Sequence, residues 1–177
     1  SLDRVGKAGA KFDFDKTKWF NQQYLREKEA TTLAALLSES VNDSKAIDLG
    51  YLTEVCELMK ERATFIKDIW ESGQFFFHLP SDYDEKTRRK KWNENSPEVL
   101  NSIIDLFSSM SDFSEAQIET QFKSHLEKNK WTLGNILPVF RLSLTGLGMG
   151  PSIFAISALL GKDEVILRLK TAIDTLS

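Results

Sequence analysis

The chain of 177 residues is 41% hydrophobic, 11% aromatic and 28% charged, which suits one medium domain or two small ones and excludes a disordered segment. Its 23 lysines and arginines against 26 acids leave a formal charge of -3. That balance excludes nucleic-acid binding by bulk charge and leaves room only for a local basic surface.

The apolar period is helical almost throughout. Trp19, Phe20, Tyr24 and Leu25 recur at helical spacing behind Asp15, read as an N-cap. Leu33, Leu36 and Leu37 mark a helix over 32–41, ended by the turn-forming Asn42-Asp43-Ser44. Leu52, Val55, Cys56 and Met59 form the apolar face of a helix over 50–62, and Phe65, Ile69 and Trp70 a short one closed by Gly73. Phe75-Phe76-Phe77 cannot share one helix face, and Pro80 biases Leu79 away from helix, so a buried connector and subdomain boundary are placed here.

Beyond it, Ser96-Pro97 reads as a capping serine with proline at the first helical position, ahead of Val99, Leu100, Ile103, Leu106, Phe107 and Met110. Ser114-Glu115-Ala116-Gln117 matches a capping box before Ile118, Phe122 and Leu126. A helix over 133–144 should kink at Pro138. Gly150-Pro151 opens a helix that Gly161 stops, and Val165, Leu167, Leu169 and Ile173 mark the last one. With no strand alternation, the expectation is an all-α fold of two packed subdomains, 1–78 and 79–177.

The residues do not assemble an enzyme site. Cys56 is the lone cysteine, which excludes an intramolecular disulfide and a cysteine-cluster zinc site, points to a reducing compartment such as the cytoplasm, and on an apolar stripe reads as a buried thiol. His78 and His125 lack a partner histidine at ligand spacing, so no metal is expected. Gly146-Leu147-Gly148-Met149-Gly150-Pro151 lacks the Gly-Lys-Ser/Thr ending and preceding strand of a phosphate loop. It reads either as an interhelical turn or as backbone free to approach a partner. The basic run Lys86-Thr87-Arg88-Arg89-Lys90-Lys91 beside Trp92 is a solvated helix face with one anchoring tryptophan, or a phosphate contact. Residues 120–177 hold seven basic residues against four acids, among them Lys123, Lys128, Lys130 and Arg141, a modest signal for phosphate binding.

Particular strings say more than periodicity. The segment from Lys11-Phe12-Asp13-Phe14-Asp15 through Trp19-Phe20-Asn21-Gln22-Gln23-Tyr24-Leu25 resembles the opening of the anticodon-binding region of bacterial glutamyl-tRNA synthetases, class I aminoacyl-tRNA synthetases. Arg141-Leu142-Ser143-Leu144-Thr145-Gly146, Gly150-Pro151-Ser152-Ile153-Phe154 and Leu160-Gly161-Lys162-Asp163-Glu164 resemble that family's closing strings. The likeness is weak over 75–130.

The resemblance implies a non-catalytic anticodon-binding region, excised from a longer ligase as the opening Ser1-Leu2-Asp3-Arg4 also suggests. It implies no cofactor here, with ATP and magnesium handled by a catalytic domain in cis, since neither ATP motif of the family occurs in these residues. The implied partner is the anticodon stem-loop of the glutamate tRNA, not DNA, and no run of about 18 apolar residues offers a membrane span. Position by position, Arg62 looks like the arginine that reads the third anticodon base, its planar fork suiting a base edge. Arg141 resembles a second loop-binding arginine, Gly150 and Ile153 the backbone and apolar positions that meet a splayed base, and Lys123 a phosphate contact. Gly150 departs from members with a hydroxyl there. The rival reading is a helical protein-interaction module without RNA binding.

Overall fold

The computed structural model describes residues 14–42 and 46–177, the side chains of Phe14 and Asp15 excepted. The proposed Asp15 cap, the Asp43-Ser44 turn and residues 11–13 lie outside that description. Among the described residues the chain is helical without a strand. Its helices are α1 (Phe14–Glu27), α2 (Ala30–Ser40), α3 (Leu49–Met59), α4 (Ile66–Ser72), α5 (Glu85–Lys91), α6 (Ser96–Ser109), α7 (Glu115–Lys128), α8 (Leu133–Thr145), α9 (Ile153–Leu160) and α10 (Lys162–Leu176). Tight 3-10 turns at Lys60–Arg62 and Gln74–Phe76 follow α3 and α4.

Packing follows the apolar stripes. α2 lies on α3, α10 on α6 and α8, α7 on α9 and α5 on α8. Leu33, Leu37, Leu52 and Val55 from the first half join Ile103, Phe107, Phe122 and Phe140 from the second in one continuous buried cluster. Its centre is aromatic: Phe140 stands 5.8 Å from Phe107 and 4.9 Å from Phe122, ring centre to ring centre, and Phe122 meets Phe154 edge-on at 5.5 Å. Truncating such a ring costs roughly 3–5 kcal/mol, because its neighbours cannot close the hole. The Phe75-Phe76 turn is buried as expected, with Phe77 stacked on Trp70 at 4.7 Å.

Several local readings are corrected. Of the apolar set Trp19, Phe20, Tyr24 and Leu25, only Leu25 is buried; Trp19 is 55% exposed beside exposed Phe20 and Tyr24. Ser96 is the first residue of α6 rather than its cap, and its hydroxyl accepts the Asn93 amide at 2.9 Å. Ser114 caps α7 by position only; no side-chain bond closes a capping box, and the Asp112 carboxylate takes the Ser114 amide at 2.9 Å. Ser152, not Gly150-Pro151, caps α9, accepting the Ala155 amide at 3.2 Å.

On α10 the inward set is Val165, Arg168, Leu169, Ala172 and Leu176, while Leu167 faces solvent. The buried arginine replaces an expected leucine. Arg168 donates from Nε to Glu164 at 2.7 Å and from Nη1 to the carbonyls of Phe75 and Leu144 at 2.5 and 2.9 Å. It ties the last helix to the Phe75 turn and to the end of α8.

Pro138 lies within a continuous α8. Lacking an N–H, it leaves the Gly134 carbonyl without its i+4 donor. The Lys91 ammonium donates to that oxygen at 3.2 Å and fastens α5 to the start of α8.

Candidate functional site

Arg62 and Arg141 are 79 positions apart, and the fold brings them to one turn. Arg62 ends the 3-10 turn that carries α3 outward, with its side chain in solvent. Arg141 projects from the middle of α8 and is half-buried. Their guanidinium groups donate to successive carbonyls, Arg62 to Gly150 at 3.0 Å and Arg141 to Pro151 at 2.8 Å. Residues 150–151 thus form a turn with one guanidinium bound to each of its two carbonyls.

The electrostatics leave both cations active. Among the described residues neither arginine has a carboxylate within ion-pair distance; Glu61, next to Arg62, turns instead to Arg26 at 3.2 Å. Burial first, and then the neighbouring Arg62 charge, lower the Arg141 guanidinium from its ordinary value, although a guanidinium stays charged in any accessible range. Two like charges that share neutral carbonyls favour an incoming anion or a base edge rich in acceptors.

Gly150 lies close under Arg141. A Cβ there would stand 3.0 Å from Arg141 Nη1, a contact that a shift of a few tenths of an ångström at the end of the flexible side chain would relieve. That nitrogen is buried and donates to no acceptor among the described residues.

The other two positions lie apart from this pair. Ile153, in the first turn of α9, is 2% exposed as a whole residue and belongs to the core, so neither its side chain nor its backbone forms part of the surface. Lys123 is exposed on α7 and bound by Glu119, one helical turn back, at 2.5 Å. The sequence reading passed over that carboxylate. Glu115, at the head of α7, accepts the Ser152 hydroxyl at 2.8 Å. Lys123 stands eight residues on, about 12 Å along the helix.

The glycine loop singled out in the sequence delivers this turn, and it does so by lying on α5. Gly146 is left-handed, with φ +73, and its carbonyl accepts the Asp84 amide at 2.8 Å. A Cβ on Gly148 would fall 2.2 Å from the Thr87 hydroxyl. The glycines therefore let 146–150 lie flat on the head of α5 and reach the arginine pair at a fixed angle. The repeated Gly-x-Gly-x-Gly was the available signal; the surface it approaches could not be read.

The remaining chemical groups have structural settings. Burial pushes the Cys56 thiol up to about 12, far from thiolate chemistry. His125 Nε2 meets the Ser102 hydroxyl at 2.8 Å, and burial followed by the Lys128 charge lowers its ionisation. Among the described residues no three His, Cys, Asp or Glu side chains gather as a metal site, and no helix is long and apolar enough to cross a membrane.

The fold and the arginine pair together define an all-helical domain whose distinguishing surface is a turn held between two guanidinium groups. A family model described as an anticodon binding domain matches residues 22–173, and the chain belongs to that family. Curated relatives include a glutamate–tRNA ligase of Phocaeicola vulgatus, 43% identical over 176 residues, and one of Flavobacterium psychrophilum, 44% identical over 177; each alignment covers 99% of this chain and 35% of the relative. A solved glutamate tRNA ligase from Elizabethkingia meningosepticum, in complex with its amino acid, superposes with a TM-score of 0.89 at 34% identity, covering 100% of this chain and 35% of that one. The chain thus spans about a third of the length of the relatives it matches.

Proposed function

We propose that this chain is the anticodon-recognising part of a longer glutamate–tRNA ligase and grips the anticodon loop of the glutamate tRNA at the turn between Arg62 and Arg141. The observation that carries the reading is the convergence of two carboxylate-free guanidinium groups on the carbonyls of residues 150 and 151, in a chain of the anticodon binding domain family. The ligase names of relatives aligned along 99% of its length support the rest.

In this reading the loop bases unstack and lie over the start of α9. Arg62, exposed at the end of its turn, exchanges its bond to the Gly150 carbonyl for a base edge, which costs little because both bonds have a charged donor. Arg141 keeps the Pro151 carbonyl and presents its accessible edge to the neighbouring nucleotide. Lys123, released from Glu119, meets a backbone phosphate, and the Gly150 backbone lines the floor, with Ile153 packed beneath the turn as core. Base edges specify and phosphates position, so specificity resides in the arginines and the salt dependence in the lysine. The ligase activity, its ATP and its magnesium belong to the proposed longer protein, with this chain acting on RNA alone.

Titrating a labelled glutamate-tRNA anticodon stem-loop at two salt concentrations tests the proposal. Binding that weakens with salt and with an altered anticodon is expected. Absence of binding to any stem-loop at low salt would leave the helical interaction module in its place.

A further inference from the structure

The most basic segment of the chain lies away from the arginine pair but is joined to it. α5 carries Lys86, Arg88, Arg89, Lys90 and Lys91 within seven residues, none of them buried, and is anchored by Trp92 against Leu142, Ala172 and Leu176. Its face is divided chemically. Arg88 and Arg89 are both occupied by Glu85, at 3.7 and 3.2 Å. Lys86 and Lys90 have no ion pair among the described residues, and they line a groove of about 570 Å3 with Thr87, Lys91, Gly148 and Met149.

That groove and the arginine pair share one loop, 147–151. The groove's far wall is loop 147–149, braced on α5 by the Asp84 amide on the Gly146 carbonyl and by Gly148 against Thr87. Gly148 and Gly150 are two residues apart, so their Cα atoms lie within about 7 Å of each other. One carboxylate enters the groove, that of Asp84, and it is committed to the Thr87 amide at 2.7 Å as the cap of α5. The groove therefore keeps a net positive charge. Met149 stands 83% exposed at its rim.

At its other end, the same loop borders acid. Ser152 bonds to Glu115, and Glu29, Glu54, Glu57 and Glu115 line a hollow of about 740 Å3 under α9. A polyanion leaving the arginine pair is repelled at the Ser152 end and attracted at the Gly148 end. The direction of its exit is fixed by charge.

We propose that the Lys86–Lys90 groove between α5 and loop 147–149 seats the sugar–phosphate backbone of the RNA strand that runs from the anticodon loop into its stem. The inference rests on the function proposed above and adds to it where the stem lies. The lysines contact phosphates and carry no sequence information.

The test compares the whole chain with K86Q/K90Q and with K67Q/K170Q, which removes two exposed lysines elsewhere and matches the charge change. Binding of a glutamate-tRNA anticodon hairpin and of the open loop heptanucleotide is followed by fluorescence anisotropy from 50 to 200 mM salt. K86Q/K90Q should reduce the slope of log affinity against log salt on the hairpin by about 1.5, two phosphate contacts fewer. Its anticodon base preference and its heptanucleotide binding should stay unchanged, and K67Q/K170Q should behave like the unaltered chain. A hairpin slope that K86Q/K90Q leaves unchanged, or an equal loss on the heptanucleotide, overturns the stem seat and leaves the arginine site standing. Failure of the unaltered chain to bind the hairpin overturns both.

Discussion

Arginine does opposite work in two regions of this molecule. Arg168 is 2% exposed, pairs with Glu164 and donates to two carbonyls, so its charge is spent inside the protein. Arg62 and Arg141 also donate to carbonyls, but no carboxylate among the described residues answers either charge. The hydrogen bonds are alike and the residual charge differs. A neutralised arginine holds a fold together, whereas one that is only positioned remains available to a ligand.

The largest effect should come from disturbing the neutralised case. Arg168→Ala leaves the Phe75 and Leu144 carbonyls buried without a donor and should cost about 3–5 kcal/mol of stability, read as a drop in the urea midpoint. A loss under 1 kcal/mol would mean that water replaces the guanidinium and that the contrast with the arginine pair is weaker than drawn. Arg141→Ala should follow, with hairpin affinity reduced by about 1.5–3 kcal/mol, the range of a charged hydrogen bond, and only a small change in unfolding. Unchanged affinity would move Arg141 to the structural class.

Arg62→Gln should leave stability unchanged and relax discrimination at the third anticodon base by about 1–3 kcal/mol, measured with hairpins that differ at that base. Base preference identical to that of the unaltered chain would remove Arg62 from the reading site.

The smallest effect is a pH dependence on the wall opposite α6. His125 ionises below its ordinary value because the folded chain favours the neutral ring, through burial and the Lys128 charge. Its contribution is therefore present above the unfolded value near 6.5 and is lost as pH falls through the lower folded value. Urea midpoints should decline modestly on acidification, and His125→Gln should flatten that part of the profile. An identical profile in the variant would assign the decline to carboxylates.

Much of the helical framework was legible because an apolar residue every three or four positions has one efficient burial. The Ser152 cap and the aromatic exposure of α1 were less legible. Several hydroxyls and amides compete for each helix start, and nothing local says whether a neighbour covers Trp19. Arg168 was available in principle, since 165, 168, 169, 172 and 176 share one face and Glu164 stands four residues back. A charged residue on an apolar stripe was read around instead of through.

The arginine site was legible only in its members. Resemblance singled out Arg62, Arg141 and Gly150, but no spacing could say that two guanidinium groups meet successive carbonyls. It also could not say that Ile153 turns inward and that Lys123 is held by Glu119.

The sequence by itself determined the all-α class, the run of helices and the family, because helical periodicity and short strings are properties of neighbouring residues. Tertiary structure alone decided which cations remain unneutralised and which loop joins the arginine pair to the α5 groove. Charge compensation depends on what lies within a few ångströms in space, and in this chain the decisive partners stand 88 positions apart for Arg62 and Gly150 and 93 apart for Arg168 and Phe75.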